Sequence, residues 1–185
     1  MSPVVIVLIV LGVIFLALVA MYNSLVRARN HCTEAWANID TELKRRYELI
    51  PNLVNCVKGY AKYERELIEQ VTRLRAECVA NNGSPQEQAG SENKLIRALG
   101  RLIARVENYP DLKASRNYLE LQEELVNTED RIQAARRFYN ANVRDLNTRV
   151  EVIPSNIVAG MFGFQREEFF EVESALERTV PEVRV

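Results

Sequence analysis

The sequence has few of the residues from which most catalytic and metal sites are built. Its single histidine, His31, cannot supply an HxxxH or HExxH pair, and it belongs to no serine-histidine-aspartate set. Neither GxGxxG nor GxxxxGKS/T occurs, so the chain has no motif that would cradle a nucleotide phosphate. We therefore expect a non-enzymatic protein without a metal ion or cofactor.

Cysteine is also scarce, and charge of neither sign dominates. Three cysteines, Cys32, Cys56 and Cys78, form no CxxC pair and are odd in number, so neither a disulfide framework nor a zinc site is indicated. We expect them to be reduced thiols in the core. With 24 basic and 25 acidic residues the chain has no excess positive charge for a phosphate backbone, so nucleic acid is not an expected partner.

A long apolar run stands at the N-terminus. Residues 4–21 are eighteen residues without a charge, interrupted only by Gly12. At about 1.5 Å per residue, such a helix covers about 27 Å, close to the roughly 30 Å of a bilayer's hydrocarbon core. No basic residue precedes the run, and its end makes a poor cleavage site, which favours an uncleaved anchor over a signal peptide. Residues 1–21 are therefore predicted to be a transmembrane helix, and the lipid bilayer is an expected partner.

The charges that flank this run predict its orientation. Both nearby basic residues, Arg27 and Arg29, follow the run, and positively charged flanks tend to stay in the cytoplasm. The N-terminus is then outside and the domain cytoplasmic. Two arginines make a small asymmetry, so a periplasmic domain is the alternative.

Beyond the anchor, apolar residues recur at helical spacing, and no stretch alternates at period two for long enough to be a strand. Residues 22–50 contain neither glycine nor proline, so the anchor is expected to continue into the first helix. Pro51 is expected to break or sharply kink that helix. Turn residues at 81–85 and 108–110 separate further helices. The pattern predicts an all-α protein in which residues 22–150 form an elongated antiparallel bundle of about four helices.

Steps of three and four residues define the apolar seams of this bundle, as in a coiled coil. The expected core residues are Trp36, Ile39 and Leu43 in the first seam, Tyr60 in the second, and Leu125, Ile132 and Tyr139 in the last. Because Trp36 lies centrally in the first seam, we expect it to be largely buried.

Some seam positions carry polar residues instead: Arg29, Glu64, Gln122, Glu129 and Arg136. Buried charges are costly unless they are paired, so we interpret the four charged residues as an ion network that sets helix register. A catalytic carboxylate pair is much less favoured. The expected partner of Glu129 is Arg29 or Arg136. The basic run at 44–46 is interpreted as a solvated helix face.

Residues 151–185 are predicted to form an amphipathic tail. Its apolar side chains are closely spaced: Ile157, Met161, Phe162, Phe164, Phe169 and Phe170. They either pack on the end of the bundle or contact the membrane or a neighbouring copy. Three chain reversals would return the last long helix to the bilayer and bring the tail to its surface. Few basic residues accompany the tail, which slightly favours packing on the bundle.

Several long strings in the chain resemble those of the bacterial LemA family. They are YNSLV and RN within residues 22–30, AWANID at 35–40, LKRRYELIPNLV at 43–54, ENYPDLKA at 107–114, ARRFYN at 135–140 and the tail at 154–170. The resemblance implies an N-terminal anchor and a helical bundle in a single-pass protein of the bacterial inner membrane. It carries over no catalytic residues. At Tyr63 the chain departs from the family, whose usual residue there is histidine.

The combination of a single anchor, a long helical domain and no recognisable active site favours a scaffold. Such a protein would assemble with copies of itself or dock partner proteins beside the bilayer, and the resemblance implies a role in membrane organisation for some relatives. The alternative is an accessory or regulatory subunit of a membrane protease or transporter. The expected partners are therefore a second copy of the chain or another membrane protein.

Overall fold

Helices make up nearly all of the structure. The computed structural model of the chain describes residues 2–59 and 64–172. Its helices are α1 (Pro3–Lys58), α2 (Arg65–Ala80), α3 (Pro85–Val106), α4 (Pro110–Lys113), α5 (Arg116–Glu151) and α6 (Ser155–Phe162). Neither of the two described ranges contains a strand, so the all-α prediction is confirmed.

The described chain forms two compact units. Unit 1 contains the residues up to Ala37 together with Phe138–Glu168, and unit 2 contains Asn38–Arg137 together with the residues from Phe169 on. Helices α1 and α5 each contribute to both units.

In unit 1, the first part of α1 packs against the last part of α5 in antiparallel direction. Arg149, near the end of α5, donates to the Ser24 hydroxyl, while the Tyr139 ring, earlier in α5, lies 5.3 Å from the Trp36 ring. The buried residues of this pair recur mainly at steps of three and four: Leu25, Ala28, Cys32, Ala35, Tyr139, Val143 and Leu146. Because this spacing puts them on one face of each helix, the two helices bury their apolar faces against each other.

Unit 2 is a bundle formed by the other parts of α1 and α5 with α2 and α3, and the short α4 precedes α5. Helices α2 and α3 run antiparallel, and Arg101 donates to the Gln70 side chain at 3.2 Å. Ser84 caps α3, since its hydroxyl accepts from the Glu87 N–H at 3.4 Å and its own N–H donates to the Glu87 carboxylate at 3.0 Å. The core includes Ile50, Leu53, Val57, Val71, Leu95, Leu102, Leu112 and Leu125. This unit corresponds to the predicted arrangement of about four helices.

Pro51 does not break α1, so the predicted break, one of the two outcomes expected at this residue, is wrong. The helix continues seven residues further, to Lys58. Pro51 has no N–H to donate to the carbonyl oxygen of Tyr47, four residues earlier. The Nε of Arg75 on α2 donates to that oxygen instead, at 2.6 Å. The lost helical hydrogen bond is thus replaced from a neighbouring helix, while Ile50 and Leu53 are buried on either side of the proline.

The expected core residues lie as follows. Ile39, Leu43, Leu125, Ile132 and Tyr139 are buried. Trp36 is only half-buried, contrary to expectation, because Ala35 and Ile39 occupy the buried face of α1 and each further residue turns about 100° around the helix. Its ring packs at the side of that face, against Tyr139. Tyr60 and Tyr63 lie outside the described residues.

The hydrogen bond from Arg75 predicts a specific coupling with Pro51. Arg75→Leu keeps an aliphatic side chain but leaves the Tyr47 carbonyl without this donor, so the free energy of unfolding should fall by about 1–3 kcal/mol. In a Pro51→Ala background the amide of residue 51 can donate to the same carbonyl, and Arg75→Leu should then cost much less. The double-mutant cycle compares the unchanged protein, Arg75→Leu, Pro51→Ala and the double variant by denaturant unfolding in detergent. Equal costs in the two backgrounds would show that Arg75 does not replace the missing bond.

Candidate membrane-proximal surface and buried charge cluster

The apolar run is exposed from Val4 to Ala20 in the structure, and Met21 is half-buried. Its large side chains, from Val4 to Val19, are 40–68% exposed and contact no other part of the described fold closely enough to be buried. Helix α1 is the helix in the described residues that is long and apolar enough to cross a membrane. Apolar surface on this scale is costly in water, at about 25 cal/mol per Å², so this segment fits the interior of a bilayer.

Packing begins within one helical turn of this run. Leu25 and Ala28 are buried in unit 1, four and seven residues after Met21. Tyr22 stands between the run and the packed part of α1, and its ring contacts Phe162 at 4.7 Å and Phe164 at 5.9 Å between centroids. Phe162 and Phe164 of the tail therefore lie directly beside the end of the apolar run.

Helix α6 is apolar on two sides, of which only one is covered. Val158 and Ala159 are buried against unit 1. Ile157 and Met161, four residues apart, lie on the other side of the helix and are 59% and 71% exposed. Phe162, at the end of the helix, is 60% exposed, and Ile153, in the turn before the helix, is 77% exposed. We call these four residues the α6 face. The helix ends at Phe162 and is capped by Gly163, whose φ of 69° lies in the left-handed region that glycine adopts without strain.

The predicted tail thus has two different parts. Phe164 and Phe170 are buried and Phe169 is half-buried, whereas Ile157, Met161 and Phe162 are exposed. The extended chain after α6 is held by polar contacts to α5, because Asn147 donates to the Glu167 carbonyl at 3.0 Å and accepts from its N–H at 2.9 Å. Tyr139 donates to the Glu168 carbonyl at 2.9 Å.

A buried charge cluster joins three helices of unit 2. The Arg46 guanidinium of α1 donates to Glu129 of α5 at 2.9 Å and to Glu92 of α3. The side chains of Arg46 and Glu92 are 2% exposed. Each carboxylate accepts one further hydrogen bond. Gln133 donates to Glu129 at 2.9 Å, and the Tyr47 hydroxyl donates to Glu92.

Burial and the neighbouring charges together keep Arg46, Tyr47 and Cys78 of this cluster protonated. Burial alone would lower the pKa of Arg46, but the carboxylates of Glu92 and Glu129 outweigh it and the net shift is upward. Burial and the Glu92 charge raise the pKa of the Tyr47 hydroxyl, and they raise that of the nearby Cys78 thiol to about 12. Tyrosine and thiol therefore stay protonated near neutral pH. The arrangement is a fixed structural network and presents no activated nucleophile.

The predicted ion network is corrected by this geometry. The arginine that Glu129 contacts is Arg46, which the sequence analysis assigned to a solvated face. Arg136 donates to the Val172 carbonyl, and the Arg29 guanidinium stacks 5.2 Å from the centre of the Phe164 ring. Glu64 lies 3.9 Å from Arg105; the Arg105 side chain is 61% exposed and the Glu64 side chain 19%.

The remaining candidate residues offer no reactive site. His31 is exposed, 3.6 Å from the Glu34 carboxylate. Cys32 and Cys78 are buried free thiols, and Cys56 is a half-buried one. Burial, with smaller contributions from Glu167 and Asp145, raises the pKa of Cys32 to about 11. Within residues 2–59 and 64–172, no three histidine, cysteine or acidic side chains lie where they could hold a metal ion together.

Residues Arg46 and Arg45 allow a matched test of the buried cluster. Arg46→Leu should lower the free energy of unfolding by about 3–5 kcal/mol, because it leaves two buried carboxylates without their cation. Arg45 is the control: it pairs with Glu124 at the same 2.9 Å, but the two side chains are 42% and 48% exposed. Arg45→Leu should therefore cost under about 1 kcal/mol.

A second measurement separates lost charge from lost packing. With Glu92→Gln and Glu129→Gln in place, Arg46→Leu should cost clearly less, because the uncompensated charges are gone. Denaturant unfolding measures all of these proteins. Similar small losses for Arg46→Leu and Arg45→Leu would contradict a buried, stabilising network.

Comparison of the sequence with those of known proteins identifies its relatives. Protein LemA of Metamycoplasma hominis is 27% identical over 168 residues, which cover 91% of this chain and 76% of that protein. Magnetosome protein MamQ 2 of Paramagnetospirillum magneticum is 30% identical over 189 aligned positions, 88% of this chain and 70% of that protein. Magnetosome protein MamQ of Magnetospirillum gryphiswaldense is 28% identical, over 85% of this chain and 67% of that protein.

None of these three names describes an enzymatic activity, and together with the exposed apolar helix the relatives fit a membrane protein. The sequence model of the LemA family matches residues 35–185. This range is most of the chain, and it includes unit 2 and the Phe138–Glu168 part of unit 1. The chain belongs to the LemA family.

Proposed function

We propose that this protein is a non-enzymatic, single-pass membrane protein of the bacterial inner membrane whose helical units act as a self-assembling scaffold beside the bilayer. Its anchor is the apolar part of α1, and its domain lies on the cytoplasmic side, where Arg27 and Arg29 follow the span. The molecules that it assembles are copies of itself, with docking of other membrane proteins as a further use of the same surfaces.

One observation carries the proposal: no linker separates the apolar run from the packed fold. Helix α1 is continuous from Pro3 to Lys58, and its buried residues begin with Leu25. A flexible linker would let the domain move away from its anchor, whereas a continuous helix is a semi-rigid spacer. Here unit 1 is held at the membrane surface in a defined orientation, as a protein that organises its neighbours in the plane of the bilayer requires.

The buried charge cluster supports the same role. Arg46, Glu92 and Glu129 join α1, α3 and α5 through directional hydrogen bonds, and we take this network to hold the helices of unit 2 in one register. Two relatives are named magnetosome proteins, and neither name describes a reaction. Both points favour a structural role over catalysis.

The mass of the full-length protein in detergent tests the proposal. Native mass spectrometry should give a homo-oligomer whose mass, after the detergent is removed, is a multiple of the 21.2 kDa chain. The same measurement on residues 22–185 shows whether the assembly is formed by the helical units or by the anchor. We expect the shortened chain to assemble as well.

Two results would contradict the scaffold. A monomer that co-purifies with one other protein in fixed proportion would identify an accessory or regulatory subunit, for example of a membrane protease or transporter. A monomer without any partner, in detergent and in chemically crosslinked membranes alike, would remove the basis for assembly altogether.

A further inference from the structure

The α6 face belongs to a long uncharged segment in a charge-rich chain. Residues 152–165 contain no Asp, Glu, Lys or Arg, although 26% of the whole chain is charged. Five large apolar side chains of this segment, Val152 and the four residues of the α6 face, are more than half exposed. Scattered single apolar residues on a surface are ordinary, but a cluster of this kind marks a surface that another apolar phase covers.

The position of the α6 face shows which phase is available to cover it. Phe162 contacts the ring of Tyr22, the first residue after the eighteen-residue apolar run. Along α1 the face therefore lies at the end of the run, where a membrane-spanning helix crosses from hydrocarbon to headgroups. Aromatic side chains such as Tyr22 and Phe162 are favoured at that boundary.

The charges around the face agree with this placement. Arg27 is exposed one to two turns beyond the run, and Arg166, 65% exposed, follows the uncharged segment. Basic side chains at this distance from hydrocarbon can reach lipid phosphates. Acidic residues flank the segment too, since Glu151 pairs with Arg166 at 3.0 Å. Apolar contact must therefore contribute most of the binding.

We propose that the α6 face inserts into the acyl-chain boundary of the leaflet from which α1 emerges, so that the chain binds the bilayer at a second site whose ligand is the lipid acyl chains. The inference rests on α1 spanning the membrane, as the proposed function states. It adds that unit 1 lies with α6 against the bilayer and is oriented by two contacts instead of one.

A single tryptophan on the α6 face reports this contact. Trp36 is the only tryptophan in the chain, so Trp36→Phe provides a background without one. Met161→Trp in this background places the fluorophore on the face, and Arg144→Trp, at an exposed site of α5, is the matched control. Each full-length protein is reconstituted at one copy per lipid nanodisc, with phosphatidylcholine either unbrominated or brominated near the headgroup end of its acyl chains.

The expected result is a blue-shifted emission for Met161→Trp that loses most of its intensity in brominated discs, while Arg144→Trp keeps its emission in both. Ile157→Trp repeats the measurement from the same face and covers the case in which Met161→Trp does not fold. Emission from both face variants that is unaffected by brominated lipid would overturn the proposal. A blue shift that appears only when several copies share one liposome would also overturn it, because a second copy would then cover the face. Since a disc holds one copy, the measurement does not depend on the assembly by which the proposed function is tested.

Discussion

The continuity of α1 is the constraint on which the rest of the structure depends. One helix supplies the apolar run, one side of the core of unit 1 and one helix of unit 2. A proline inside a helix costs about 3 kcal/mol relative to alanine, so Pro51 should have ended it. The Arg75 hydrogen bond to the Tyr47 carbonyl and the burial of Ile50 and Leu53 offset that cost. Tertiary contacts thus preserve an element that local propensity opposes.

The buried charge cluster and the α6 face depart in opposite ways from the usual placement of side chains, with polar groups outside the fold and apolar groups inside it. In unit 2, Arg46 and its carboxylates are polar groups inside the fold, and their hydrogen bonds connect α1, α3 and α5. In unit 1, the α6 face is apolar surface outside the fold, beside the end of the apolar run. The first connects three helices inside unit 2, and the second is the surface for which we propose contact with lipid. Neither arrangement holds a group suited to catalysis within the described residues.

The sequence predicts the fold class well because apolar spacing reports helices directly, but it places two important groups poorly. Ile39, Leu43, Arg46 and Ile50 follow steps of four, three and four, so Arg46 lies on the buried face, yet its neighbours Lys44 and Arg45 made it resemble part of a solvated run. Glu92 likewise precedes Leu95, Leu99 and Leu102 at the same spacing. The spacing of the apolar residues along each helix could have predicted that Arg46 and Glu92 are buried. The Arg75 contact could not have been found, since it depends on how α2 packs against α1 and not on any periodic pattern.

Backbone amide hydrogen exchange across the start of the packed fold tests the central claim most directly. The full-length protein in lipid nanodiscs should show slow exchange without interruption from the apolar run through Tyr22, Leu25 and Arg29, comparable to that of Ile39 and Leu43 deeper in α1. This is the behaviour of one helix that leaves the membrane and enters the fold without a hinge. A rapidly exchanging stretch between Met21 and Ala28 would show that a flexible joint separates the anchor from unit 1, and would contradict the account.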